Sequence, residues 1–356
     1  MSVKRVLITG GAGFVGSNLC IALADRHPDW EIVAADNLYR RGSELALPRL
    51  RAAGVTFAHA DVREPDDLAK IGAIDALVEC SAEPSVMAAV QGGADLVVRT
   101  NLLGAYHCLE LAARHGAQFV FVSTSRVYPV RALEEVAMVE TATRLELAED
   151  QARPGISPAG LTEAFPLTGA RTLYGATKLA GELLVEEYAE THGIPTVVNR
   201  CGVIAGPWQM GKVDQGVFTF WMLSHLFGRD LSYIGFGGTG KQVRDLLHVD
   251  DLVELLDDQL ERPDHWAGRT FNVGGGRAVS LSLRELTDLC GELTGQRLAV
   301  GADPVTRAGD VPIYLSDCAA LFAHTDWRPR RSAEDVLRDI RDWASQNEAL
   351  VRSALG

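Results

Sequence analysis

Short, β-branched, almost wholly apolar runs recur along the first two thirds of the chain, at 5–9, 31–35, 55–60, 75–80 and 118–123. A strand with one wet face alternates apolar and polar residues, so runs without alternation belong to strands covered on both faces, as in parallel sheets. Between them lie amphipathic stretches such as 14–26 and 101–115, long enough for the crossover helices that parallel pairing requires. Strand and helix in repetition predict an α/β fold built on a doubly wound parallel sheet. A further run at 196–203, after the long helical stretch 174–192, extends that sheet.

After about residue 205 the beat is lost. Gly206-Pro207 breaks the chain, and Gly235, Gly237, Gly238 and Gly240 crowd one loop. Strand candidates at 231–236, 269–273 and 298–300 mix there with helices, two of which have clear starts. Ser282 stands three residues before Glu285 and Ser332 three before Asp335, the spacing of a capping box. The expected organisation is a Rossmann-type domain over 1–205 and a smaller C-terminal α/β substrate domain over 206–356. Part of 247–275 is expected to return to the first.

Charge and composition narrow the partners. Lys and Arg number 34 against 47 Asp and Glu, a net charge of −13, which repels a phosphate backbone and argues against nucleic acid. No apolar run approaches the about 18–20 residues that span a bilayer, so no membrane is expected. The apolar N-terminal stretch runs straight into a glycine loop without a cleavage-type site, as a first strand does and a signal peptide does not. Six cysteines (Cys20, Cys80, Cys108, Cys201, Cys290, Cys318) and nine histidines show no metal-ligand spacing. A reduced, cytoplasmic, metal-free protein is the expectation.

The first strand opens directly into Thr9-Gly10-Gly11-Ala12-Gly13-Phe14-Val15-Gly16. Here Gly10 permits the tight turn, Gly13 lets the backbone approach a pyrophosphate, and Gly16 lets the helix pack close to the sheet. The helix N-terminus then offers free amides and a positive dipole. A glycine-rich turn without a ligand is the plainer reading of such a loop. Asp36 argues against it: it lies twenty residues past Gly16 at the end of the second run, where a carboxylate binds both adenosine ribose hydroxyls. A carboxylate there repels a 2′-phosphate and favours NAD over NADP, whereas Arg40 and Arg41 pull the other way from further along the loop. Asp61-Val62, after the third run, is placed for the adenine edge, although an Asp at a strand end also caps helices.

Ser123-Thr124-Ser125 ends the fifth run, at the carboxyl edge where open α/β sheets place their chemistry. Tyr174 and Lys178 stand four apart at the start of a helical stretch, hence on one face. An ammonium beside a phenol favours the phenolate, and such a tyrosine removes an alcohol proton while hydride leaves for a nicotinamide. Thr124 would share the hydrogen bond to the reacting oxygen. As an isolated pair, Tyr and Lys at this spacing would simply pack on a helix.

Together the glycine loop, Asp36, the Thr124 segment and Tyr174-Gly175-Ala176-Thr177-Lys178 resemble the extended short-chain dehydrogenase/reductase family, over almost the whole chain to Asp326-Trp327-Arg328-Pro329. That family holds NAD-dependent nucleotide-sugar epimerases, dehydratases and decarboxylases. The resemblance implies NAD as cofactor, a nucleoside diphosphate sugar as substrate, and a homodimer through helices that include the Tyr174 helix. It adds Phe14, Val15, Asn37, Ser81 and Asn101 to the cofactor set of Gly10, Gly13, Asp36, Asp61, Val62, Tyr174 and Lys178. Three stretches are most similar to the CDP-sugar 2-epimerases: Asp36-Asn37-Leu38-Tyr39-Arg40-Arg41-Gly42, Val213-Asp214-Gln215-Gly216 and Gly240 to His248. By carry-over, Arg244 and Arg307 contact the diphosphate and Gln215 the substrate. An arginine fork in a loop-rich domain suits that work, but taken alone either arginine reads as a surface residue.

The reaction type turns on one segment. Family dehydratases carry a Glu two residues before the Val-Tyr tail of the Thr124 segment, beside an Asp. This chain has Ser125 and Arg126 there, so elimination lacks its acid, and the 2-epimerases resemble this chain in having a basic residue at Arg126. Departures flank the same region: Pro129 replaces a Gly, and Val203 stands where many relatives carry an Asn that contacts substrate. The family's His-x-Ala-Ala-Gln becomes Glu79-Cys80-Ser81-Ala82-Glu83. Glu83 either binds a sugar hydroxyl or is a solvated rim acid. The reading is a nucleotide-sugar 2-epimerase with catalytic Thr124, Tyr174 and Lys178. The alternatives are a 4-epimerase, a sugar reductase and a non-catalytic NAD-binding regulator, the last disfavoured because Tyr174 and Lys178 are both kept.

Overall fold

In the computed structural model, which describes residues 3–85, 92–210 and 216–355, the apolar runs become the strands of one sheet. These are β1 (Arg5–Thr9), β2 (Glu31–Asp36), β3 (Thr56–His59), β4 (Ala76–Glu79), β5 (Gln118–Thr124), β6 (Thr196–Cys201) and β7 (Arg269–Val273). Their order is β7-β6-β5-β4-β1-β2-β3, and the pairs from β3 through β5 are parallel, with Val6 opposite both Ile32 and Ala76. The order reverses between β1 and β4, the switch point at whose carboxyl ends such sheets bind ligands. Three helices matter for the site: α1 (Phe14–Arg26), α2 (Gly104–His115) and α3 (Leu173–His192).

Burial explains the uninterrupted apolar runs. Leu7, Leu77, Phe119 and Phe121 are fully buried against Leu109 and Ala112 of α2 and Val185 of α3. The helical stretch expected from 101 is preceded by a short helix, Ala94–Val98, and a π-helical turn, Arg99–Leu103, before α2.

The chain divides into two units. The first holds 1–124, 173–200 and 252–270, the second 125–172, 201–251 and 271–356. This differs from a single division at 205: residues 125–172 go with the second unit although they interrupt the first. The run 196–203 likewise divides at Gly202, since Val203–Ala205 pairs with Val243–His248 in another sheet.

That sheet also takes Ser280–Ser282 antiparallel and Ile313–Tyr314 parallel onto Val243–His248. Phe218, Trp221, Leu246, Leu286, Leu337 and Ile340 form the second unit's core. Both capping boxes are present. Ser282 Oγ accepts from the Glu285 N–H at 3.0 Å and Ser332 Oγ from the Asp335 N–H at 3.2 Å, with the acids bonding back. Among the described residues no helix is long and apolar enough to cross a membrane, and no cluster of three His, Cys, Asp or Glu is disposed to hold a metal.

Candidate active site

The strand-to-helix turn after β1 is built of backbone in contact with backbone. Gly10 has φ +62°, and a Cβ on it would lie 2.9 Å from the Cys80 carbonyl at the end of β4. A Cβ on Gly16 would lie 2.2 Å from Gly10 O. Neither position accepts a side chain, so α1 enters hard against the turn. No side chain caps α1 at Gly13, which leaves its first amides for an anion at the positive end of the helix dipole. Phe14 and Val15 form that first turn. A cradle of bare backbone ending in uncapped amides fits a pyrophosphate.

Asp36 closes β2 beside this turn. Its Oδ2 accepts the Ala12 N–H at 3.1 Å and its Oδ1 the Leu38 N–H at 2.8 Å. Burial pushes its carboxyl above the usual range, while those two N–H groups pull it back. Each oxygen keeps a lone pair for a further donor such as a ribose hydroxyl. Asn37 reaches across to Asp61, its Nδ2 donating to Oδ2 at 2.9 Å. Burial alone would raise Asp61, but the hydrogen bonds from Arg63 and Asn37 bring it down to about 2. The Val62 side chain belongs to the core, and its carbonyl oxygen lies 2.8 Å from His107 Nδ1.

Thr124 ends β5 and is buried; Tyr174 and Lys178 lie one turn apart at the start of α3, Tyr174 half-buried and Lys178 1% exposed. Lys178 Nζ donates to Glu79 Oε2 at 3.1 Å, and Glu79 too is 1% exposed. Burial raises the Glu79 carboxyl, against the pull of the Lys178 charge and hydrogen bond and of the Ser81 N–H. Asn101, buried in the π-helical turn, accepts the Glu83 N–H at 2.7 Å and donates to Glu83 O at 3.1 Å and Thr177 Oγ1 at 3.3 Å. It therefore ties the segment after β4 to α3. π-Helical turns are often found at functional sites, and periodicity gives no sign of this one. Glu83 turns its carboxylate back on its own segment, Oε1 accepting the Ser85 N–H at 3.1 Å.

The second unit holds a pocket of ≈ 390 Å³, its open mouth included, lined by Ser125, Arg126, Val203 and Arg244 among others. Four residues expected at the substrate thus come together. Both arginines are held by the loop 307–311. Arg126 Nη1 donates to Gly309 O at 2.9 Å, and Arg244 Nη2 donates to Asp310 Oδ1 at 2.7 Å and Val311 O at 2.5 Å. Burial lowers the Arg244 guanidinium to about 10, Asp310 opposing the shift and Arg126 adding to it. Two neighbouring cations in one pocket suit a diphosphate.

Arg307 does not line this pocket; it sits half-buried in the same loop, its carbonyl accepting the Asp310 N–H at 3.1 Å. Gln215 lies outside the described residues. The sequence reading passed over Tyr128, Val130, Leu133, Thr172, Val311 and Tyr314, which complete the wall. Only Tyr128 carried a signal, as the tail of the Thr124 segment.

Comparison with known proteins gives this geometry a context. The model of the NAD dependent epimerase/dehydratase family matches residues 6–274. CDP-paratose 2-epimerase of Salmonella typhi is 28% identical over 351 residues, covering 96% of this chain and 99% of that protein. A dTDP-glucose 4,6-dehydratase of Streptomyces antibioticus is 31% identical over 354 residues, covering 97% of this chain and 93% of that one. Among solved structures, UDP-glucose 4-epimerase of Thermus thermophilus in complex with NAD superposes with a TM-score of 0.76 at 26% identity, covering 96% of this chain and 98% of that one.

Proposed function

Because the chain belongs to the NAD dependent epimerase/dehydratase family, we propose that it inverts carbon 2 of a nucleoside diphosphate sugar, most similar in chemistry to a CDP-sugar, through transient oxidation to a ketone. The observation that carries this reading is the wall formed by Ser125 and Arg126. Elimination needs an acid at that place, and the chain has a hydroxyl and a guanidinium instead. The similarity to a CDP-paratose 2-epimerase over nearly both full lengths supports carbon 2. A 4-epimerase is the second reading, favoured by the match to a UDP-glucose 4-epimerase.

NAD, when bound, supplies a reversible hydride acceptor. Gly10, Gly13 and the amides of Phe14 and Val15 would hold its diphosphate, and Asp36 a ribose. Asn37, Asp61, Val62, Ser81 and Asn101 shape the surrounding wall. Tyr174 takes the proton of the sugar hydroxyl, Thr124 hydrogen-bonds the same oxygen, and Lys178 favours the phenolate. Arg244, with Arg126 and Arg307, grips the diphosphate. The keto sugar turns about its bond to that diphosphate, and Tyr174 returns the proton once carbon 2 has been reduced from its other face.

Two copies are expected to associate through α2 and α3. These helices leave Tyr106 and Leu183 38% and 62% exposed, beside Leu103 at 42%, and light scattering on the eluted protein measures the mass. Proton NMR on the enzyme with CDP-, UDP- and GDP-glucose in separate tubes tests the reaction. A manno product is expected. A galacto product moves the reaction to carbon 4, and a steady fall of NADH absorbance on a keto-sugar substrate makes the protein a reductase, whereas an epimerase leaves that absorbance unchanged.

A further inference from the structure

Two carboxylates of the first unit are buried against a base, and they are built differently. Glu182 has both oxygens engaged: Ser123 Oγ donates to Oε1 at 2.5 Å, and Arg200 donates from Nε at 3.0 Å and Nη2 at 2.8 Å to Oε2. Such a pair meets the conditions under which a buried ion pair is tolerated. Glu79 is less fully engaged. Its Oε2 takes the bond from Lys178, the Ser81 N–H draws on the same carboxylate, and its Oε1 has no hydrogen bond among the described residues. An ammonium has three donors. The face of Phe121 lies 4.0 Å from Lys178 Nζ and offers only a cation–π contact. Lys178 and Glu182 are four apart on α3, so the contrast falls within one turn of one helix.

The groups around Nζ leave Glu79 as its counter-charge. From α2 comes Cys108, whose thiol burial and the Glu79 charge push well above its ordinary range. From β1 the uncharged Thr9 hydrogen-bonds that thiol, and from β5 comes Phe121. On α3 itself stand Tyr174, one turn before, and Glu182, whose charge Arg200 of β6 takes up. A lysine 1% exposed with no anion beside it gives up its proton readily.

We propose that Glu79 is a positioning residue: its carboxylate keeps the buried Lys178 ammonium charged and aimed, so that Lys178 can favour the Tyr174 phenolate. This rests on the reading of Tyr174 and Lys178 as the proton-transfer pair.

The chain has five lysines, Lys4, Lys70, Lys178, Lys212 and Lys241, so lysine labelled with carbon-13 at Cε gives a spectrum in which Lys178 is assigned by loss of its signal in Lys178→Met. In Glu79→Gln the Lys178 midpoint should fall by at least about one pH unit, a tenfold loss of proton affinity, with the other four unmoved. Glu79→Asp, which keeps the charge, should restore most of it. Should Glu79→Gln fail to fold, Glu79→His, uncharged in the alkaline range, serves in its place with the same expectation. In turnover, the acid limb of the kcat profile should move to higher pH in Glu79→Gln, because a neutral lysine no longer favours the phenolate.

A Lys178 titration that is the same with Glu and with Gln overturns the proposal and leaves the catalytic reading standing. Full activity of Lys178→Met overturns the catalytic reading, and the role of Glu79 with it, whatever the titration shows. A merely structural Glu79 would lower the melting temperature and leave the titration in place.

Discussion

The glycine turn after β1 and the pocket of the second unit are held in place by different means. In the first unit the groups that matter are fixed by regular elements. Gly10 and Gly16 are locked by backbone contacts, Asp36 by two backbone N–H groups, and Lys178 by its place on α3 and its partner on β4. In the second unit Arg126 and Arg244 lean on carbonyls and a carboxylate of the loop 307–311. Groups on helices and strands keep tighter geometry than groups braced by loops, and loops change more readily. On the proposed reading, the steps common to any sugar would rest on the rigid frame and the choice of sugar on the adjustable one.

Tyr174→Phe gives that comparison its sharpest test. Loss of a general acid–base group should lower kcat by about 10²–10⁴-fold for every sugar the enzyme turns over, while NAD binding by calorimetry is retained. A variant that slowed one sugar and spared another would erase the division of labour. The next effect is on stability and belongs to the second unit. Asp245, next to Arg244 on the same strand, is fully buried; burial raises its carboxyl to about 6, although its Oδ2 accepts the N–H groups of Gly276 and Ser316. With a folded pKa above the unfolded one, the folded state holds the proton more tightly. Stability is then greatest below the unfolded pKa and falls as pH rises toward 6. The displacement of about two units corresponds to roughly 3 kcal/mol. Asp245→Asn should remove that slope, read as the difference between parent and variant in urea unfolding from about pH 4 to pH 7.

Smaller effects follow at the pocket. Arg244→Lys keeps the charge but loses the planar fork, and should raise KM by about tenfold with kcat within a factor of about two. A fall in kcat instead would place Arg244 among the groups that act on the transition state. Glu83→Gln should change neither constant by more than about twofold, because its Oε1 is already used on Ser85. A larger change in steady-state kinetics would assign Glu83 to a sugar hydroxyl and bring the first unit into substrate choice.

Much of the first unit was legible in the chain. Runs such as Val6-Leu7-Ile8 report burial on both faces, the glycines report forbidden Cβ positions, and Tyr174 and Lys178 share a face at the α-helical period. All of these are local. The second unit was legible only in pieces: its capping boxes lie within four residues, but its sheet joins 203–205, 243–248, 280–282 and 313–314, and no short-range pattern links those. Val130, Leu133 and Val311 read as ordinary core residues until they meet around one pocket.

By itself the sequence determined the Rossmann frame, the glycine turn after β1 and the placing of Tyr174 and Lys178 on one helix face, because spacing along a strand or a helix already sets which side chains lie together. Only the tertiary structure decided that 125–172 goes with the second unit, that Arg126 and Arg244 are braced by one loop, and that Glu79 rather than Glu83 is the buried acid of the site. Those outcomes depend on contacts between residues up to 183 apart, where burial and the matching of charges across separate elements, not local propensity, fix the answer.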